Sequence, residues 1–202
     1  MGEPSRYSVD DEVAGLSGGV LQNKFGITDQ SELEDTESVL FADAYQYFFT
    51  LLEDDQLLLY SKTIFDIHRY TLDPLYDWAG ELRTVDISKD GVLFAPVVHL
   101  QQSVQHMNEI IDAQIPTSQD TIEAISKKLA VIHNEFIAVH PFREGNGRTI
   151  RLFMDLAVVN CGYQPIDYTQ MDSTSYISAC VAGMSEQHEL LEKILQPLIQ
   201  KM

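Results

Sequence analysis

The chain has 202 residues, 45% of them hydrophobic, enough for one well-buried core and no reason to expect two domains. Thirteen basic residues against 31 acidic give a net charge of −18, a surface that repels phosphate backbones and anionic membranes and argues against a nucleic-acid or membrane partner. No run of about 18 apolar residues occurs, the start lacks a basic-then-apolar export signal, and Cys161 and Cys180 read as reduced core thiols, so a cytoplasmic protein is expected.

Residues 1–60 carry 13 Asp/Glu against Arg6 and Lys24, net −11, leaving −7 for the other 142. Residues 1–20 read as an acidic, flexible start, or a docking face for a basic partner, and residues 21–202 as one domain. Leu33, Glu37, Leu40, Ala44, Phe48 and Leu51 recur at threes and fours, which predicts a helix over 31–52. A second helix is expected over 56–70, before the punctuation of Pro74 and Gly80. Residues 83–96 break the helical period. Val85 and Ile87 alternate, Asp90-Gly91 follows, and Val92-Leu93-Phe94 is β-prone, together a hairpin signal. A lone two-stranded hairpin must lie on a larger body, and its open edge is either a structural leftover or a surface for another chain's extended segment.

Helical spacing returns over 97–113 with Leu100, Val104, Met107 and Ile111. Thr117 with Asp120 predicts a capping box for the next helix. In that helix Ile122, Ile125, Leu129, Ile132, Phe136 and Val139 mark the strongest apolar face of the chain. It must stop near Val139 or His140, because Pro141 disfavours helical geometry in the residue before it. Further helices are expected over 146–160, 172–184 and 186–200.

Between the two central helices stands "VHPFREGNGRTIR", residues 139–151. A helix that opens with Gly145, Asn146, Gly147 and Arg148 presents unpaired N–H groups and a partial positive charge, which invites an anion. The glycines allow close approach. Asn146 can cap the helix or donate to a phosphate oxygen. Arg148 and Arg151, three apart, are expected on one face, where two guanidinium forks suit a polyphosphate. Glu144 is an oxygen ligand suited to Mg²⁺ bridging phosphates. His140, with an imidazole of ordinary pKa near 6.5, is suited to take a proton from a hydroxyl that attacks phosphorus. Read singly, each residue has a plainer account: Arg148 paired with Glu144 or Asp155, His140 as a turn residue. Other chemistries lack their motifs. There is no GxxxxGK[ST], "GNGRTI" lacks the third glycine of a dinucleotide fingerprint, and His133 and His140 stand seven apart without HExxH. His68, His99, His106 and His188 read as surface or half-buried packing.

"HPFREGNGRTIR" resembles the Fic motif, HPFx[D/E]GNGRxxR, at every defined position. "NKFGITDQSELE" at 23–34 is similar to the start of short bacterial Fic proteins, and "YDWAGELRTVDISKDGVLFAP" at 76–96 to the segment leading into their flap hairpin. The resemblance covers roughly residues 20–200 and implies an all-α fold, a Fic-type helical bundle with one small β-hairpin. It implies a protein adenylyltransferase that moves AMP from ATP to a Ser, Thr or Tyr hydroxyl of a target protein. His140 would be the base and Glu144 the Mg²⁺ ligand. Gly145, Asn146 and Gly147 would cradle the phosphates, with Arg148 and Arg151 on the outer ones. Phe142 would anchor the loop in the core. Ser88, Lys89, Asp90, Gly91, Val92, Leu93 and Phe94 would form the flap that registers the target, with Lys89 reaching nucleotide or target. Relatives transfer UMP, phosphate or phosphocholine on the same scaffold, and a nucleotide-sensing module without catalysis is the remaining alternative. The inhibitory [S/T]xxxE[G/N] pattern is not met: Ser8/Glu12, Thr28/Glu32 and Ser185/Glu189 are followed by Val13, Leu33 and Leu190. The resemblance therefore implies a short form inhibited in trans by a small antitoxin that offers a glutamate to Arg151, or a chain from which an inhibitory segment was removed.

Overall fold

Helix α1 (Gln30–Glu53) starts where Asp29 accepts the Glu32 N–H at 2.9 Å, and it buries Leu33, Glu37, Phe41, Ala44 and Phe48 along one stripe. The structure is a computed structural model that describes residues 15–17, 19–89 and 92–202. Among these residues seven α-helices are joined by two antiparallel two-stranded hairpins, so the expected mostly helical bundle with a small hairpin is what is found. The first fourteen residues, with most of the acidic start, lie outside the described residues. Packed structure begins before the expected boundary at residue 20. β1 (Leu16–Ser17) pairs with β2 (Val20–Leu21), whose two residues are buried against Leu33, Leu72, Leu75 and Tyr76.

Helix α2 (Ser61–Leu72) begins five residues later than its spacing suggests. Its start is fixed from outside, since Asp112 accepts the Ser61 N–H at 2.6 Å and Thr63 Oγ1 donates to Leu58 O at 2.7 Å, holding the preceding segment off the helix. Helix α3 (Leu100–Ala113) follows a 3-10 turn at Val97–His99. Thr117 and Asp120 do bond, at 2.7 Å through the Thr117 N–H, but one turn too early. The N-cap of α4 (Ile122–Val139) is Thr121.

Helix α5 (Asn146–Asn160) is buried nearly all round and packs against α1, α2 and α4. Its Asp155 is satisfied inside the core by Tyr45 Oη at 2.8 Å and the Ile166 N–H at 3.0 Å, so it is not the surface partner of Arg148 that the sequence allowed. Helix α6 (Ser173–Gly183) is capped by Asp172. Helix α7 (Glu189–Leu195) is shorter than expected and passes into a 3-10 turn at Gln196–Leu198, where Pro197 removes a donor. Cys161 and Cys180 are free thiols. No described helix is long and apolar enough to cross a membrane.

The second hairpin, β3 (Ser88–Lys89) with β4 (Val92–Leu93), pairs Ser88 with Leu93 and Lys89 with Val92. That register makes Asp90-Gly91 a two-residue connection, and those two residues lie outside the described ones. Val85, Ile87 and Phe94 form a small cluster with Ile137 of α4 and Met184, which seats the hairpin on the end of α4.

Candidate active site

Pro141 ends α4, and His140 makes the exit by adopting the left-handed backbone conformation, φ 51° and ψ 63°. That costs a non-glycine residue about 1–2 kcal/mol, so something must hold it. Arg83 does. Its side chain is fully buried and donates to four carbonyls: His140 O at 2.8 Å, Val85 O at 2.8 Å, Val139 O at 3.3 Å, and Ala95 O. The carbonyls of the last residue of α4 and of its C-cap are thus bonded to a cation, and both legs of the hairpin are stapled to the same point. A buried guanidinium is tolerable only with its donors engaged. Sequence reasoning passed over Arg83, because nothing local marks it.

His140 is 4% exposed. Rather than forming an open wall, its ring lies under Phe94, stacked at 3.8 Å and 14°. Nδ1–H donates to Ile137 O at 3.2 Å, so in this tautomer Nε2 is the basic nitrogen. Burial pushes its pKa down to about 3, and the positive charges of Arg83 and Lys89 push the same way. The ring is therefore neutral throughout the physiological range.

The loop after His140 is built on two side chains. Phe142 is fully buried and stacks on His68 at 3.7 Å, which bears out its reading as the anchor. His68 is not the half-buried packing residue expected. It is buried, accepts the Gly80 N–H at Nδ1 (2.8 Å) and donates from Nε2 to Glu144 O (2.9 Å), with its pKa lowered to about 4 by burial. Asn146 closes the loop by exchanging bonds with Phe142: its amide donates to Phe142 O at 2.8 Å, and its Oδ1 accepts the Phe142 N–H at 3.0 Å. Its amide therefore shapes the loop. Gly145 has φ 81°, a backbone conformation that favours glycine, and a Cβ there would stand 2.8 Å from Leu72 Cδ1 and oblige that side chain to shift. A Cβ at Gly147 would meet nothing within 4 Å. No side chain caps the start of α5, which keeps the character of an anion-binding helix terminus.

The two arginines do not share surroundings. Arg148 forms an ion pair with Glu37 of α1, lies 3.6 Å from Glu144 Oε1, and sits over the Phe41 ring at 4.6 Å. Arg151 lies against the rings of Tyr168 and Tyr176, at 5.3 and 5.4 Å, its Nε buried without a hydrogen-bond partner. Among the described residues no carboxylate is within ion-pair distance of Arg151. Glu144 is 7% exposed, and its Oε1 accepts the Gly145 N–H at 2.8 Å. Among the described residues no three His, Cys, Asp or Glu gather to cage a metal. One carboxylate beside an anion-facing helix start still fits Mg²⁺, which takes most of its ligands from water and phosphates. A separate cleft of about 430 Å³ is lined by Arg143, Arg83, Val85 and Trp78, among others, but by none of His140, Glu144, Gly145, Asn146, Gly147, Arg148 and Arg151.

The residues matched by comparison with known proteins include this loop. A profile of the Fic/DOC family matches residues 58–158, half of the chain. The chain is 27% identical over 179 residues to protein adenylyltransferase VbhT of Bartonella schoenbuchensis, covering 88% of this chain and 37% of VbhT. It is 26% identical over 182 residues to y4lH of Sinorhizobium fredii, covering 89% of this chain and 92% of y4lH. Among solved structures, the N-terminal Fic domain of a cell filamentation protein from Bartonella quintana with bound ADP superposes with a TM-score of 0.74 at 19% identity, covering 96% of this chain and 97% of that one. BepC of Bartonella tribocorum with bound AMPPNP superposes at 0.70 and 16% identity, covering 90% and 93%. The chain thus spans little more than a third of the first relative and nearly all of the second.

Proposed function

The chain belongs to the Fic/DOC family, and we propose that it is a protein adenylyltransferase that transfers AMP from ATP to a hydroxyl of a target protein. The observation that carries this reading is the tethered, neutral His140, whose Nδ1–H bond to Ile137 leaves Nε2 as the basic nitrogen six residues before a helix start that no side chain caps. The target oxygen bonds to the α-phosphorus, the bond from that phosphorus to its bridging oxygen breaks, and pyrophosphate leaves. The proton of the hydroxyl goes to Nε2 of His140. A base with a pKa near 3 is a weak acceptor, but triphosphate charge arriving beside it favours the imidazolium and raises its affinity for the proton. The amides at the start of α5, with Arg148 and Arg151, hold the phosphates. Glu144 would hold Mg²⁺, which would neutralise phosphate charge when bound.

The β3–β4 hairpin serves as the flap for the target. Among the described residues each of its strands has one neighbour only, and Leu93 is 74% exposed, so the edge is open to an extended segment of another chain. Lys89 lies close enough to lower the pKa of His140, which supports reading it as a contact for nucleotide or target. Arg151, which has no carboxylate within ion-pair distance among the described residues, is where a glutamate from a separate antitoxin would act. Two free thiols suit a reducing cytoplasm.

The test is transfer of label to protein in a lysate supplied with magnesium. Relative to the same lysate without this protein, ATP labelled at the α-phosphate is expected to mark additional protein and γ-labelled ATP is not, with His140→Ala reducing the additional labelling by about 10²-fold or more. Equal labelling by the variant, or transfer of the γ-label, contradicts the reading.

A further inference from the structure

Glu37 is an acid on an apolar stripe. It stands between Leu33 and Phe41 on the buried face of α1, itself 3% exposed. A carboxylate in that position costs several kcal/mol unless it is paired and hydrogen-bonded, and here both oxygens are used. Oε1 accepts Tyr76 Oη–H at 2.6 Å, and Oε2 takes the ion pair with Arg148, 111 residues away in the chain. Phe41, one turn along α1, lies under the same guanidinium at 4.6 Å. The pair is not sealed. The side chain of Arg148 keeps 23% of its surface exposed while that of Glu37 keeps 4%, so Glu37 holds Nη2, which also lies 3.6 Å from Glu144 Oε1, of a side chain that still reaches solvent.

We propose that Glu37 is a positioning residue of the anion site: with Tyr76 and Phe41 it fixes the guanidinium of Arg148 so that its free edge meets the phosphates of a bound nucleotide. This rests on the reading of the α5 start as a phosphate site. An arginine carries about 2 kcal/mol of rotamer entropy, and a ligand that finds it already ordered is spared that cost. The arrangement differs from inhibition of Arg151 by a glutamate, since it concerns the other arginine and comes from within the core.

The test uses Glu37→Gln, which keeps the shape and removes the charge, and Tyr76→Phe, which removes only the hydroxyl. Affinity for MgADP is measured by calorimetry, and ATP dependence by steady-state AMP transfer. Glu37→Gln is expected to weaken MgADP binding about tenfold and raise the KM for ATP with kcat within about twofold. Tyr76→Phe is expected to do the same to a smaller extent, about threefold. Unchanged or tighter MgADP binding in a folded Glu37→Gln protein overturns the proposal, because a purely structural pair would lower stability alone and an inhibitory one would raise affinity. If Glu37→Gln does not fold, unchanged binding by Tyr76→Phe overturns it. A wild-type protein that binds MgADP but transfers no AMP sinks the adenylyltransferase reading and leaves this one measurable; a wild-type protein that does not bind MgADP sinks both.

Discussion

Arg148 and Arg151 leave the same helix one turn apart and meet opposite surroundings. Arg148 is compensated inside the fold, by Glu37 and at longer range by Glu144. Arg151 is packed against two tyrosine rings, and among the described residues no carboxylate comes within ion-pair distance of it, its nearest electrostatic counterpart being the buried Asp155 one turn on. Cation–π contact of this kind is worth about 1 kcal/mol, less than an anion would contribute in so desolvated a place. The contrast separates two situations that the shared helix face conceals: one arginine joins distant parts of the chain through an ion pair, and the other is held by aromatic rings without one.

The largest effect that would sharpen this contrast is on stability. Arg148→Ala leaves Glu37 buried and unpaired, and is expected to cost about 3 kcal/mol in urea unfolding; a loss no greater than that of Arg151→Ala breaks the comparison. Next is activity. Arg151→Ala is expected to lower kcat/KM for AMP transfer about 10²-fold while moving the unfolding midpoint little. Smaller is the recovery from adding Glu37→Gln to Arg148→Ala, which removes the stranded charge and should return about 1–2 kcal/mol in a double-mutant cycle. An additive cycle would mean the pair is not coupled.

The smallest effect is on pH dependence. Burial lowers His68 and His133 to about 4 and His140 to about 3, so each binds a proton more tightly in the unfolded chain. The stability they contribute is present above pH 6.5 and is lost as pH falls towards 4. Asp155, raised to about 6 by burial, works in the opposite sense between that value and its ordinary 3.8. With three groups against one, stability is expected to fall by about 1 kcal/mol between pH 7.5 and 6.5, read from urea midpoints. The imidazole signals of His140 should not shift between pH 8 and 5; a titration centred near 6.5 would place that ring in water.

The helices were legible because their apolar residues recur at helical spacing, and the end of α4 because proline follows His140. The loop was legible as chemistry since its polar groups are consecutive. What escaped was set by partners far along the chain. Arg83 caps α4 only because the hairpin folds back over it, and His68, which accepts from Gly80, reaches Glu144, 76 residues farther along the chain than itself. Asp112 fixes the start of α2 from α3. Glu37 did leave a local sign, an acid in a row of buried apolar positions, though the spacing does not name Arg148 as its partner. The difference between Arg148 and Arg151 depends on where α1 and the tyrosines of the C-terminal third come to rest.

One measurement bears most directly on the imidazole of His140 as the base for AMP transfer: the intact mass of a modified target after incubation with MgATP and either wild-type protein or His140→Ala. The account predicts a gain of one AMP per acceptor hydroxyl with the wild type and none with the variant. A gain of phosphate instead of AMP, or the same AMP adduct with both proteins, would contradict it.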